Sequence, residues 1–520
     1  MVARDRTDAV VVTTAQMQAI EARMFAAGMP VAALMEKVAG AIARRVQRYP
    51  FYQAGVRVLV LVGPGHNGGD ALVVARELHL AGCVVQVYQP LARLKELTAS
   101  HAAYCRSLGM EFTDDRADLR SPDFVIDGLF GFGLERAITG ELAAAIAQIN
   151  QFPCPIVSID LPSGVHTDTG AVLGTAIRAT HTLCLGLWKR GLLQEAAVAW
   201  VGQVERLGFD IPWADVQAVI GTGTVERITP ESAIAHLPLA RSPLAHKYTV
   251  GHLLLVCGSR QYAGAACLAG LGARASGVGM VTIAVPESLK AGLNTQLPEA
   301  LIVGCPETET GAIAQFPLDL SRYDAIACGP GLTLDALPLV QQVLASDRPL
   351  VLDADGLNAL AQLGTEATLR SRTALTILTP HWGEFQRLFP AFTAGGDRLS
   401  SVQQAAQSTA AIVLLKGART AIADPTRLSI NPDSTPALAR GGSGDVLTGL
   451  IGGLVAQAIA AKHPATALDW VAAAAWWHAQ AGLWAAAQRT VLGVDPVTLA
   501  ASLLPALAQF TSPHATTTVF

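Results

Sequence analysis

From residue 58 onward, short runs of β-branched and other apolar residues alternate with longer Ala/Leu-rich segments, and no other feature constrains the chain as strongly. Such alternation is the signature of parallel strands joined by crossover helices. In the first half it predicts strands at 58–62, 84–88, 124–127, 156–160 and 182–185. Ahead of them, residues 15–45 carry Ile20, Met24, Met29, Ala33 and Met35 at helical spacing, predicting one or two helices. The second half predicts strands at 253–257, 281–285, 325–328, 350–352, 376–378 and 412–415. Between them, 221–247 holds Pro230, Pro238 and Pro243 without a clear period and reads as a linker. At roughly 100–200 residues per domain, 520 residues accommodate two α/β domains, assigned to 1–222 and 223–520. The halves differ in detail and are not repeats.

The chain is 51% hydrophobic and only 15% charged, which excludes a disordered polymer. Its net charge of -4, with no long basic run, lacks the electrostatic footprint of nucleic-acid binding. The eight cysteines are scattered without CxxC spacing and read as small buried hydrophobes in a reducing compartment. Residues 1–8 carry two Arg and two Asp and lack the apolar core of a secretory signal. The Ala-rich stretch 471–487 is interrupted by His478 and Gln480 and falls short of the roughly 20 apolar residues that span a bilayer. A soluble, cytoplasmic protein is expected, with neither membrane nor nucleic acid as partner.

After the first strand comes Gly63-Pro64-Gly65-His66-Asn67-Gly68-Gly69-Asp70, with a helix predicted from Ala71. A glycine-rich strand-to-helix turn lets backbone N–H groups approach a phosphate. The alternative is a tight turn that needs glycine for positive φ. The acid that a dinucleotide fingerprint places about 20 residues later is missing, since no Asp or Glu lies between Glu77 and Glu96; this argues against a hydride-transferring domain. Two further loops, Asp127-Gly128-Leu129-Phe130-Gly131-Phe132-Gly133 and Asp160-Leu161-Pro162-Ser163-Gly164, follow strand ends and should meet the first at one sheet edge. There Asn67, Asp127 and Ser163 offer oxygen ligands to a hard cation.

No Walker A sequence occurs in the second half. Instead Arg440-Gly441-Gly442-Ser443-Gly444-Asp445 opens a long apolar helix. Glycines at a helix start expose N–H donors to an anion, and Asp445 would sit beside a transferring phosphoryl group, able to take a proton from an attacking hydroxyl. His381, in a Pro-His-Trp-Gly-Glu turn after a strand, reads as functional; His478, in an Ala-rich helix with two Trp, reads as a core residue; His66 fits either reading.

These motifs carry a resemblance. Met35-Glu36-Lys37-Val38-Ala39-Gly40, HNGGD at 66–70, DGLFGFGLERAITG at 127–140 and SIDLPSGVHTDTG at 158–170 resemble the NAD(P)H-hydrate epimerase domain, a Rossmann-like three-layer α/β/α fold. That resemblance implies potassium on Asn67, Asp127 and Ser163. It also implies nucleotide contacts at His66, Asn67, Gly68, Gly69 and Asp70, at Gly131, Phe132, Gly133, Leu134, Glu135, Arg136 and Ala137, and at a catalytic Asp160. His66 and Ala71 stand where the commoner pattern has Asn and Gly. In the second half, GGSGD, GSRQYAGAA at 258–266, CGPGL at 328–332, DADGLN at 353–358, LTPHWGE at 378–384 and KGART at 416–420 resemble the ADP-dependent NAD(P)H-hydrate dehydratase domain, which is ribokinase-like. By that resemblance Ala265, Gly331, His381 and a catalytic Asp445 contact the hydrate, and Lys416, Gly417, Ala418, Arg419, Thr420 and Gly444 hold the nucleotide. Thr333 replaces a common glycine.

Together these imply a repair enzyme for NADHX and NADPHX, the R and S hydrates formed when water adds across C5=C6 of the dihydronicotinamide ring. One domain interconverts the epimers. The other uses ADP and Mg²⁺ to phosphorylate the S form, so that phosphate leaves where hydroxide would not. A homo-oligomer is expected. The rival reading is a ribokinase-type small-molecule kinase fused to a Rossmann-like ligand-binding domain.

Overall fold

A computed structural model describes residues 7–221, 223, 225–393 and 397–511. The chain divides into two compact units, Met1–Val225 and Glu226–Phe520. The expected boundary falls at residue 222, outside the described residues, as do 1–6 of the N-terminal segment.

In the first unit seven parallel strands lie in the order Glu111–Thr113, Val84–Tyr88, Arg57–Val62, Phe124–Gly128, Ile156–Ile159, His181–Leu185 and Gln203–Leu207. Alternate side chains of the central strand feed two cores. Val58, Val60 and Val62 join one with Met17, Ile20, Leu34 and Leu72, and Leu59 and Leu61 join the other with Ala145, Ile146 and Ile149. Helices therefore cover both faces, which is why the strands read as continuous apolar runs rather than alternating ones. The chain winds outward from Arg57–Val62 in one direction, then resumes at Phe124–Gly128 in the other. Ligand crevices of open α/β sheets form at such a reversal, outside the carboxyl ends of the strands. A separate short pair, Val10–Val12 with Trp188–Lys189, fixes the position of Lys189.

The glycine-rich segment differs from expectation. The helix begins at His66, not Ala71, and runs to Leu80 with Gly65 as its cap. None of Gly63, Gly65, Gly68 or Gly69 has positive φ. These glycines serve close approach: a Cβ on Gly68 would lie 2.0 Å from the Gly63 carbonyl oxygen, and one on Gly63 would lie 1.6 Å from that of Leu129. The HNGGD segment is thus the first turn of a helix pressed against the end of its own strand.

In the second unit the strands Leu301–Cys305, Met280–Pro286, His252–Val256, Ala325–Cys328, Leu350–Leu352, Thr376–Leu378 and Ile412–Leu415 are parallel. Thr420–Ala423 and Leu428–Asn431 then follow antiparallel. The winding reverses between His252–Val256 and Ala325–Cys328. Helix Ser443–Ala460 is apolar all round and, by length and composition alone, long enough to cross a membrane; 78% of it is buried within the fold, which marks a core helix. It packs on helix Ala263–Ser276 through glycines. A Cβ on Gly272 would lie 2.0 Å from the Val446 carbonyl oxygen, and one on Gly449 would lie 1.9 Å from that of Ala269. Part of the 221–247 stretch is folded: Val225–Arg227 is a strand, and Pro230–Ala235 is a helix with a Thr229–Ser232 capping box and a buried Ala233.

Candidate active sites

The crevice at the first reversal is a cavity of about 420 Å³. Pro64 to Asn67 and Asp70 line it from the central strand's end, Leu129 to Leu134 from the next strand, and Asp160 and Lys189 from further along the sheet edge. Phe25, Val31, Leu34, Met35 and Val38 form an apolar wall. Asp160 has positive φ (68°) and is buried. Strain of this kind, about 1–3 kcal/mol, persists only where the surroundings over-determine it. Here they do. Lys189 Nζ lies 2.6 Å from Asp160 Oδ1, and the Leu185 and Phe132 N–H groups donate to the same carboxylate at 3.2 and 3.3 Å. Lys189 also donates to the Leu185 carbonyl. Burial pulls the Lys189 ammonium down, but Asp160 outweighs it and holds the group above its ordinary pKa. Burial lifts Asp70 well above the usual carboxylate range, and Asp160 and Glu21 add to the shift. His66 is exposed at the cavity mouth, and burial of its ring followed by Lys95 keeps its pKa low.

Beneath the cavity, Asp127 is fully buried. Ser163 Oγ and Ser158 Oγ donate to it at 2.6 and 2.7 Å, and the Ser163 and Leu129 N–H groups add two more bonds. Burial raises its pKa and these donors oppose the shift. No ion pair to Asp127 occurs among the described residues. Nearby, Asn67 Nδ2 is buried without a partner, and its Oδ1 lies 3.1 Å from where a Gly131 Cβ would be. Of the other expected contacts, Gly131 to Leu134 reach the cavity, whereas Glu135, Arg136 and Ala137 are exposed and do not line it.

In the second unit Gly442 caps helix Ser443–Ala460 in the left-handed region (φ +96°), a conformation that glycine alone adopts without strain. The N–H groups of Gly444 and Asp445 have no acceptor among the described residues, leaving an open donor pair at the dipole's positive end. His478 Nε2 hydrogen-bonds the Ser443 carbonyl at 3.0 Å; burial lowers its pKa to about 4, so the ring is a neutral brace for the helix start. Asp353, buried at the end of Leu350–Leu352, bonds Lys416 Nζ at 2.7 Å and Thr448 Oγ1 at 2.7 Å. Burial raises Asp445 to about 7, with Asp353 adding and Lys416 opposing. For Lys416 burial acts downward, yet Asp353, Glu384 and Asp445 carry its pKa above the ordinary value.

Neighbouring loops converge on this edge. Gly331 sits at φ +66°, where a Cβ would meet the Tyr262 and Ala265 Cβ atoms within 2.9 Å, so two expected hydrate contacts are side by side. His381 caps helix Trp382–Leu388: its Nδ1 accepts from the Gly383 and Glu384 N–H groups, and Glu384 returns a bond to the His381 N–H. That leaves Nε2, 3.6 Å from Glu384 Oε1, as the ring atom that could meet a ligand. Arg419 is committed to the Pro432 carbonyl, and Thr420 to that of Gly417.

The model of the YjeF-related protein N-terminus matches residues 31–191, and that of NAD(P)H-hydrate dehydratase matches 253–505. The bifunctional NAD(P)H-hydrate repair enzyme Nnr of Thermosynechococcus vestitus is 55% identical over 96% of this chain and 97% of its own. Its counterpart in Synechocystis sp. is 55% identical over 97% and 96%. The chain belongs to the bifunctional NAD(P)H-hydrate repair enzymes. A solved ADP/ATP-dependent NAD(P)H-hydrate dehydratase from Bacillus subtilis, 32% identical, aligns with a TM-score of 0.46 over 54% of this chain and 97% of that one. By these family matches the first unit is the Rossmann-like epimerase and the second the ribokinase-like dehydratase; the kinase reading is not favoured.

Two cavity residues of the epimerase unit escaped sequence reasoning. Lys189, next to Arg190, closed an apolar run without an assigned role, and Glu21 lay on a helix read only for its core stripe. In the dehydratase unit Asp353, Thr448 and Glu384 were parts of motifs or of an apolar helix without assigned roles.

Thr333 carries a structural cost. It has φ +66° and ψ 163°, a region almost confined to glycine, and its Oγ1 is buried without a partner. Thr333→Gly is expected to stabilise this repair enzyme's dehydratase unit by about 1 kcal/mol, strain relief exceeding the entropy lost to glycine. A rise of about 2 °C in its thermal midpoint is the readout; an unchanged or lower midpoint contradicts the strain.

Proposed function

We propose that the dehydratase unit works through Asp445. With ADP at the open helix start, Asp445 takes the proton from the C6 hydroxyl of the S hydrate as that oxygen attacks the β-phosphoryl group, giving a phosphate ester and AMP. The ring nitrogen's lone pair then expels phosphate, and loss of a C5 proton restores the double bond. The unpartnered N–H groups of Gly444 and Asp445 stabilise the phosphoryl charge, and Lys416, held by Asp353, offers a fixed cation beside them. Ala265, Gly331 and Nε2 of His381 would meet the hydrate, and residues 416–420 the nucleotide. No group of three His, Cys, Asp or Glu side chains placed to hold a metal ion occurs among the described residues. This suits Mg²⁺, which is commonly bound through substrate phosphates and water rather than an all-protein cage, and which would neutralise phosphate charge.

The epimerase unit, in this reading, binds either hydrate of NADH or NADPH in the cavity and exchanges the C6 configuration at Asp160. Potassium would be held by Asn67 Oδ1, Asp127 and Ser163: a fully buried carboxylate without a cationic side chain beside it favours a monovalent cation, which would stiffen the loops under the cavity.

The observation that carries the reading is Asp445 beside two open N–H donors and the Lys416–Asp353 pair. Incubated with racemic hydrate and ADP, the chain should release AMP and orthophosphate in equal amounts as the absorbance of reduced coenzyme returns, with both epimers consumed. A stable phosphate ester, or repair without phosphate release, would overturn it.

A further inference from the structure

The epimerase cavity holds more ionisable groups than Asp160 alone requires. Helix Thr14–Ala26, started by a Thr13–Gln16 capping box, turns two adjacent stripes inward. Met17, Ile20 and Met24 are buried in the core, whereas Gln18, Glu21 and Phe25, at i, i+3 and i+7, line the cavity. Glu21 has no hydrogen bond or ion pair among the described residues, in contrast to Asp160, on which Lys189 and two N–H groups converge. A helix position that could send its carboxylate to water instead sends it, unpartnered, into a cavity walled by Phe25, Val31 and Leu34. An unsatisfied half-buried carboxylate is costly, and the group it faces here is whatever fills the cavity.

On the reading that this cavity is the epimerisation centre, we propose that Glu21 is a second catalytic residue, exchanging a proton with the C6 hydroxyl from the helix wall while Asp160 serves the sheet-edge wall. Inversion at C6 needs such a pair. Protonated Glu21 gives its proton to the departing hydroxyl, the C6–O bond breaks, water leaves, and the ring nitrogen's lone pair forms the C6=N1 iminium. Water then adds to the opposite face and surrenders a proton to Asp160, forming the new C6–O bond and the other epimer. Each turnover thus moves one proton from Glu21 to Asp160; exchange with solvent water returns it before the next turnover, nothing external is consumed, and in the reverse direction the roles exchange.

The electrostatics agree. Burial raises Glu21 to about 7, with Lys189 opposing and Asp160 adding. The groups facing it across the cavity are Asp160 and Lys189 at the sheet edge, Asp70 and His66 on helix His66–Leu80, and Lys95. On its own helix, Arg23 is turned away to Asp215. One buried lysine among three carboxylates keeps protons in the cavity near neutrality.

The test uses the full chain with R-enriched hydrate and excess ADP, the spontaneous rate subtracted, comparing Glu21→Gln, Glu21→Asp and Asp160→Asn with the parent. Dehydration of pure S hydrate by the other unit and thermal unfolding monitor integrity. Glu21→Gln should lower kcat for R hydrate at least about 100-fold with little change in KM and remove the pH limb near 7, and Glu21→Asp should recover part of the rate. An ¹⁸O label at C6 should be lost to solvent during parental epimerisation. Parental turnover in Glu21→Gln, a defect confined to KM, an unchanged pH profile, or label retention overturns the proposal. Should Glu21→Gln unfold, Glu21→Asp decides by whether its pH limb moves. If Asp160→Asn is also at the parental rate, the cavity itself is misassigned; if Asp160→Asn is inactive and Glu21→Gln is not, only the role of Glu21 fails.

Discussion

Asp445→Asn is expected to abolish dehydration, lowering kcat on S hydrate by about 10³-fold or more, while nucleotide affinity measured by calorimetry stays within a few-fold of the parent. The variant keeps the size and hydrogen bonding of the side chain and loses only the capacity to take a proton. The same substitution should stabilise the unit at pH 8. A carboxyl held up at about 7 is disfavoured in its ionised form by the fold. Its contribution to stability is full below the unfolded value near 3.8, falls as pH rises through the window from about 4 to 7, and stays low above it. Asparagine removes this cost, on the order of 1–3 kcal/mol after allowance for partial exposure. Activity of the parent should run the other way, rising through pH 7 as the base is freed. A residue with a merely structural role would give a less stable variant, so lower stability of Asp445→Asn at pH 8 would count against the assignment.

The second large effect is at Lys189. Lys189→Met strands the buried Asp160 carboxylate and removes the donor that ties it to the Leu185 carbonyl. Removing one partner of a buried pair typically costs 3–5 kcal/mol, far more than the pair itself contributes. The epimerase unit should therefore unfold at markedly lower denaturant, and conversion of R hydrate should fall to the spontaneous rate. Combining Lys189→Met with Asp160→Asn, which removes the stranded charge but keeps an acceptor for the Leu185 and Phe132 N–H groups and tolerates the positive φ, should return much of the stability and none of the activity. If Lys189→Met unfolds with the parental midpoint, the pair is not the lock described.

Much of this arrangement was legible in the sequence. Strands such as 325–328 and 412–415 are buried on both faces, so their residues form unbroken apolar runs. Edge strands such as Glu111–Thr113 were not legible, because three residues with one polar end carry no period. The segments holding Asn67, Asp127 and Ser163 were found because they join strand ends to glycine, and Asp445 because glycines open its helix. Their glycines were partly misread: at Gly63 and Gly68 the requirement is steric contact between strand end and helix, a tertiary fact that local sequence does not carry. Lys189 and Glu21 were missed for a related reason. Each acquires meaning only from Asp160, 29 residues from one and 139 from the other, across the sheet edge. His381 was read for chemistry, and the structure adds a capping duty that fixes which ring nitrogen is available.

The glycine contacts between helices Ala263–Ser276 and Ser443–Ala460 act as a depth gauge for catalysis. Their backbones touch at Gly272 and Gly449, so the axial position of the helix that presents Asp445 is set from inside the protein, not by the loops around the substrate. A single methyl at either glycine would slide the carboxylate relative to the phosphoryl group. Turnover can thus be lost by substitutions that touch no ligand, and evolutionary tuning of this active site has to come from the facing loops.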